Sequence, residues 1–108
     1  MIIDCHAHIF SSRIITGVSA KSAMVEKLNL HASFAAGRTT ISALKDDCRS
    51  SGIDVCLILP TAGAASVRNV NTAFMQLAAG SDFLFTAGTL HPFYGDNREE
   101  LLRLQEHG

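Results

Sequence analysis

Ile53-Asp54-Val55-Cys56-Leu57-Ile58-Leu59-Pro60 is the stretch that decides the fold class. From Val55 to Leu59 every position is apolar, so a strand built from it offers neither face to water, and Pro60 stops it. Strands of that kind belong to parallel sheets covered by helices. Two other segments match it. Upstream, residues 1–4 open on an apolar Met1-Ile2-Ile3 and run into Cys5-His6-Ala7-His8-Ile9-Phe10. Downstream, Phe83-Leu84-Phe85-Thr86-Ala87-Gly88-Thr89-Leu90 is a third run, stopped by His91-Pro92.

Between and after these runs the period changes from two to that of a helix. Ile41, Leu44 and Cys48 lie three and four apart, and Ser51-Gly52 ends that segment. Val67, Val70, Phe74, Leu77 and Ala78 make a second stripe, closed by Gly80 just past the helix end. A third helix opens at Asp96, an N-cap with Glu99 three positions on, and places Leu101 and Leu104 on one face before His107-Gly108. The order β-α-β-α-β-α predicts right-handed crossovers and a parallel sheet. Residues 11–38 interrupt the rhythm, being too long for an ordinary βα loop. Within them residues 19–30 are expected to form a short helix with Met24, Val25 and Leu28 inward, and the whole segment reads as a loop or lid over the end of strand one.

The 108 residues suit a single domain. A hydrophobic share of 47% against 18% charged provides for a core and excludes a disordered segment. The formal net charge of −1 and scattered basic residues offer no footprint for nucleic acid or an anionic membrane surface. Cys5, Cys48 and Cys56 are odd in number and lack C-x-x-C spacing, which implies reduced thiols and a cytoplasmic protein. The start has no basic stretch before its apolar residues, so it does not read as a signal peptide, and no apolar run is long enough to span a bilayer.

His6 and His8 carry the chemistry. Two apart in a strand, they share a face, with Cα atoms roughly 6.6 Å apart at about 3.3 Å per residue. Imidazoles on that base can converge on one ion at zinc–nitrogen distances of about 2.0–2.1 Å. They stand at the C-terminal end of the first strand, where parallel α/β proteins place their sites. Asp4, one step deeper on the same face, reads as a supporting acceptor. His91 ends the third strand and is a candidate to touch substrate. The remaining polar residues have plainer readings. His31 is a solvated loop residue, and His107 complements a helix C-terminus. Gly63 belongs to an ordinary βα turn, Asp46-Asp47 and Glu99-Glu100 are solvated helix faces, and Arg68 is a weak candidate for a substrate carboxylate. Cys5 and Cys56 are expected to be buried as small hydrophobes.

Residues 1–10, Met1-Ile2-Ile3-Asp4-Cys5-His6-Ala7-His8-Ile9-Phe10, resemble the opening of the amidohydrolase superfamily. The branch is amidohydrolase family 2, which includes aminocarboxymuconate-semialdehyde decarboxylase and related aromatic-acid decarboxylases beside true hydrolases. The similarity resumes at Ser51-Gly52-Ile53-Asp54, Asn69-Val70-Asn71 and Ala87-Gly88-Thr89-Leu90-His91-Pro92, and continues to Glu106-His107-Gly108. The resemblance implies a metal-dependent (β/α)8 TIM barrel, of which residues 1–108 are the first three βα units. It implies a divalent metal, usually zinc, bound by His6 and His8, and a catalytic base that lies beyond residue 108. The implied activity is hydrolysis or non-oxidative decarboxylation of a small carboxylated substrate, through a metal-activated water or metal-polarised carbonyl. Three strands do not close a barrel, so open edges and self-association are expected. Other readings share the H-x-H feature: a phosphoesterase, which would follow it with a Ser-Asp-Gly type stretch, a TatD-type nuclease, which would carry an acid soon after it, or a truncated, non-catalytic α/β interaction module.

Overall fold

A computed structural model describes residues 1–27, 29 and 39–107. The chain divides into two compact units, one made of Met1–Ala7 with Asp54–Gly108 and the other of His8–Ile53.

The first unit contains the sheet. Strands β1 (Ile3–Ala7), β2 (Val55–Ile58) and β3 (Leu84–Thr86) are parallel and lie in the order β1-β2-β3. Asp4, Cys56 and Leu84 are register partners and share a face, as do Ala7, Ile58 and Thr86. That face is the core: Cys56 and Ile58 are completely buried, and Ala7 and Leu84 nearly so. The opposite face bears Ile3, Val55, Leu57 and Phe85 by the same register. It is open, with Ile3 53% and Phe85 52% exposed. The apolar composition of both faces thus translates into cover on one side only.

Helix α4 (Val67–Ala78), entered through a 3-10 turn at Ala64–Ser66, packs against β3. Its inward stripe is Val67, Val70, Asn71, Phe74, Met75 and Ala78, while Leu77, expected inside, is exposed. The stripe turns toward Asn71 because that side chain has buried partners to satisfy. Gly80 closes the segment at φ 75°, a left-handed conformation that a side chain disfavours. Helix α5 (Asn97–Glu106) starts after Asp96, as the sequence predicts, but the Asp96 side chain makes no capping bond. Asp96 stands at φ −101° and ψ 28°, outside the extended region a capping residue uses, and Glu99 pairs with Arg68, 3.6 Å away across the surface. Gly88 lets α5 approach closely, since a Cβ there would come within 2.5 Å of Leu104 Cδ1.

β3 is shorter than the apolar run that encodes it. Both backbone groups of Thr89 are taken by Asn71, whose Oδ1 accepts from Thr89 N–H at 2.8 Å and whose Nδ2 donates to Thr89 C=O at 2.9 Å. Nδ2 also donates to Glu100 Oε1 at 2.8 Å, and Arg103 grips the same carboxylate through Nε at 2.9 Å and Nη2 at 2.6 Å. Asn71 and Glu100 are each 1% exposed. Glu100 is therefore not the solvated helix residue its sequence neighbourhood suggests. A buried carboxylate is tolerated when it is paired and fully hydrogen-bonded, and this one has three donors.

The second unit holds α1 (Ser12–Ser19), α2 (Ser22–Lys27) and α3 (Ile41–Ser50). Ser11 caps α1 by accepting from Ile14 N–H, and Thr40 caps α3 by accepting from Ala43 N–H at 3.2 Å. Of the short helix expected within residues 19–30, α2 forms at Ser22–Lys27 with Val25 half-buried but Met24 41% exposed, and a further helix, α1, precedes it behind the Ser11 cap. Residues 11–38 are closed at their neck: Phe10 N–H donates to Thr39 C=O at 3.0 Å, and the Thr39 hydroxyl donates back to Phe10 C=O at 3.1 Å. Residues 28 and 30–38 of the expected lid, with Leu28, Leu30 and His31 among them, lie outside the described residues. Cys48 is the buried anchor of α3, and Gly52 ends that segment at φ 66°.

Candidate functional site

His6 lies near the C-terminal end of β1 and is exposed. β1 does not run there as a regular strand. Its register with β2 shifts between Asp4 and Ala7, so three steps on β1 oppose two on β2. Such a bulge-like irregularity re-aims the side chains that it carries. It interrupts the alternation expected to put Asp4 and His6 on one face: Asp4 and Ala7 flank the bulge on the covered side, and Cys5 and His6 are both exposed. Cys5, expected to be buried, is exposed two residues on from Ile3 of the open face, whereas Cys56 is a core residue. Asp4 serves His6 differently. Its Oδ1 accepts from the backbone N–H of His6 at 3.0 Å, pinning the bulge that carries the imidazole.

His8 follows the strand as the first residue of the second unit and is exposed. Its ring stacks on Phe10, with centroids 5.9 Å apart and planes 16° from parallel. His6 and His8 stand either side of buried Ala7 in the sequence. The donor type suits a divalent ion such as zinc, but the donor number does not complete a shell. Among the described residues no group of three or more His, Cys, Asp or Glu side chains is arranged to hold a metal ion. Two imidazoles are half of a tetrahedral set.

His91 stands beyond β3 at the same, C-terminal end of the parallel strands and is half-buried. Tyr94 N–H donates to His91 C=O at 3.0 Å, making His91-Pro92-Phe93-Tyr94 a β-turn with proline in its favoured second place. Asn97 clamps the same residue, donating from Nδ2 to His91 C=O at 2.7 Å and accepting from His91 N–H at 3.4 Å. Within the turn, Phe93 N–H donates to His91 Nδ1 at 3.2 Å.

A cleft of about 470 Å³ lies along the outer side of β3, between Met75 and Ala78 of α4 and Leu104 of α5. Asp4, His6 and His91 do not line it, and its walls are mainly apolar. It reflects the unfilled side of an edge strand more than a chemical site. Arg68, in its pair with Glu99, is exposed. The Asn71–Glu100–Arg103 cluster is the feature that sequence reading missed. Asn71 lies in the Asn69-Val70-Asn71 stretch, on the inward stripe of a helix, and a polar residue there was the available signal. Among the described residues no helix is long and apolar enough to cross a membrane. Comparison with known proteins finds no match, whether among family models, curated proteins or solved structures.

Proposed function

We propose that this chain is the metal-binding part of a divalent-metal-dependent hydrolase or non-oxidative decarboxylase acting on a small carboxylated substrate, built as the opening βα units of a (β/α)8 barrel. The observation that carries the reading is His6, exposed on a bulge at the C-terminal end of an edge strand, with His8 two residues on. Consecutive strands in parallel, sequential order with one face covered and the other apolar and open are what such units require. Zinc is the expected ion, with further ligands and the catalytic base supplied from outside the described residues. When bound, such an ion acts as a Lewis acid toward a carbonyl or water. Asp4 fixes the backbone of His6, and His91 stands at the same end of the sheet.

Replacing either ligand tests the assignment in the intact protein. His6→Ala and His8→Ala are each expected to remove most bound zinc, measured by inductively coupled plasma mass spectrometry, and most turnover. Full occupancy with unchanged turnover in both variants rules it out. The reading as a non-catalytic interaction module draws on the open apolar face around Ile3 and Phe85, and intact wild-type protein that holds no zinc and shows no turnover would favour it.

A further inference from the structure

We propose that His91 is a fixed, neutral hydrogen-bond donor, with its proton on Nε2, that binds a carboxylate or carbonyl oxygen of the substrate and serves neither as metal ligand nor as general base. The identity of the acceptor as substrate rests on the function proposed above, whereas the protonation geometry stands alone. Nδ1 accepts from Phe93 N–H at 3.2 Å, so Nδ1 carries the lone pair. A neutral imidazole has one donor and one acceptor nitrogen, which assigns the proton to Nε2. Coordinating a metal or abstracting a proton through Nε2 needs the opposite tautomer. That tautomer would set an Nδ1 proton against the Phe93 N–H, donor facing donor.

The turn around His91 leaves little freedom to escape that conflict. The residue's N–H and C=O are both held by Asn97, its C=O also by Tyr94 N–H, and Pro92 fixes the backbone between them. Upstream, the Asn71 amide holds both backbone groups of Thr89. The ring is therefore preorganised, which keeps the ordering cost of binding low. The first position of such a turn is usually Asp, Asn or Ser, whose side-chain oxygen accepts the same N–H two residues on. Nδ1 of His91 reproduces that acceptor. What histidine adds over asparagine is Nε2–H, on a half-buried ring at the end of the sheet that also carries His6. Phe93, 87% exposed and with its ring centroid 5.8 Å from that of His91, offers an apolar neighbour for the body of a bound acid.

The experiment uses the full chain, ¹⁵N-labelled and freed of metal with a chelator, so that failure of the metal assignment cannot mask the result. Long-range ¹H–¹⁵N correlation at alkaline pH is expected to report the Nε2–H tautomer for His91, and titration with benzoate to move its Nε2 signal. His91→Asn keeps the turn acceptor and removes the donor, and is expected to weaken benzoate binding about tenfold or more, the worth of a hydrogen bond to an ionised group. His91→Gln, which can place an amide N–H near the position of Nε2, is expected to recover most of that loss. An Nδ1–H tautomer, an Nε2 signal unmoved by benzoate, or equal benzoate affinity in wild type and His91→Asn each overturns the proposal.

Discussion

Asn71→Leu removes the hinge pin of the first unit while keeping the branched side-chain shape. Asn71 is 1% exposed and makes three hydrogen bonds, two to the backbone of Thr89 and one to Glu100. The leucine strands those partners unequally. Thr89 is only half-buried, so water recovers part of what it loses. Glu100 keeps both bonds from Arg103. At about 1 kcal/mol per bond, the loss is about 3 kcal/mol, and no cavity adds to it because the leucine methyls are larger than the amide groups they replace. For a domain of this size each kcal/mol lowers Tm by about 4–8 °C, so a fall of about 12–24 °C is expected in thermal unfolding followed by circular dichroism. Asn71→Asp sharpens the test. It retains the acceptor for Thr89 N–H but sets a second carboxylate oxygen against Glu100, and is expected to unfold at least as low at pH 7. A fall below about 4 °C for Asn71→Leu, or an Asn71→Asp variant more stable than Asn71→Leu, refutes the account of this cluster as the tie between α4, the end of β3 and α5.

The same cluster makes stability depend on pH. The Arg103 guanidinium holds the Glu100 carboxyl below the ordinary glutamate range, helped by the Asn71 amide, while burial acts in the opposite direction. A depressed folded-state pKa contributes stability that is fully present above the unfolded value of about 4.3 and is lost as pH falls through the folded value. Glu100→Gln is thus expected to cost stability at pH 7, with the gap to wild type narrowing below about pH 4 in urea titrations, and a gap independent of pH would contradict it. The open face predicts self-association: sedimentation velocity of the full chain should show dimers or larger species, and Phe85→Lys should shift them toward monomer. A wild-type chain that stays monomeric and binds zinc with submicromolar affinity would show the three-stranded unit to be complete as it stands.

Much of the architecture follows from local pattern. The runs around Val55, Leu84 and Ile3 set three strands, the spacing of Ile41, Leu44 and Cys48 and of Val67, Val70 and Phe74 set the helices between them, and Gly52 and Gly80 mark the ends that need positive φ. These features depend on backbone preferences within a turn or two of chain, which is why they are legible without a structure. The H-x-H pair and its position at a strand end were equally visible. The tertiary structure alone decided the rest. A register shift in β1 separated Asp4 from the face of His6, because register is fixed by the pairing of β1 with β2 and not by β1 itself, and Cys5, two residues on from Ile3, is exposed because the face of Ile3 is uncovered. Glu100 became a buried residue because Asn71, 29 positions away, and Arg103 supply the donors it requires. Its charged neighbours Glu99 and Arg98 point to a solvated face, and nothing within one helical turn reveals Asn71 as a partner. The sequence therefore determined which segments are strands and helices and where imidazoles stand along them; three-dimensional packing decided which polar groups are buried, since each buried donor or acceptor must find a partner that can lie anywhere in the chain.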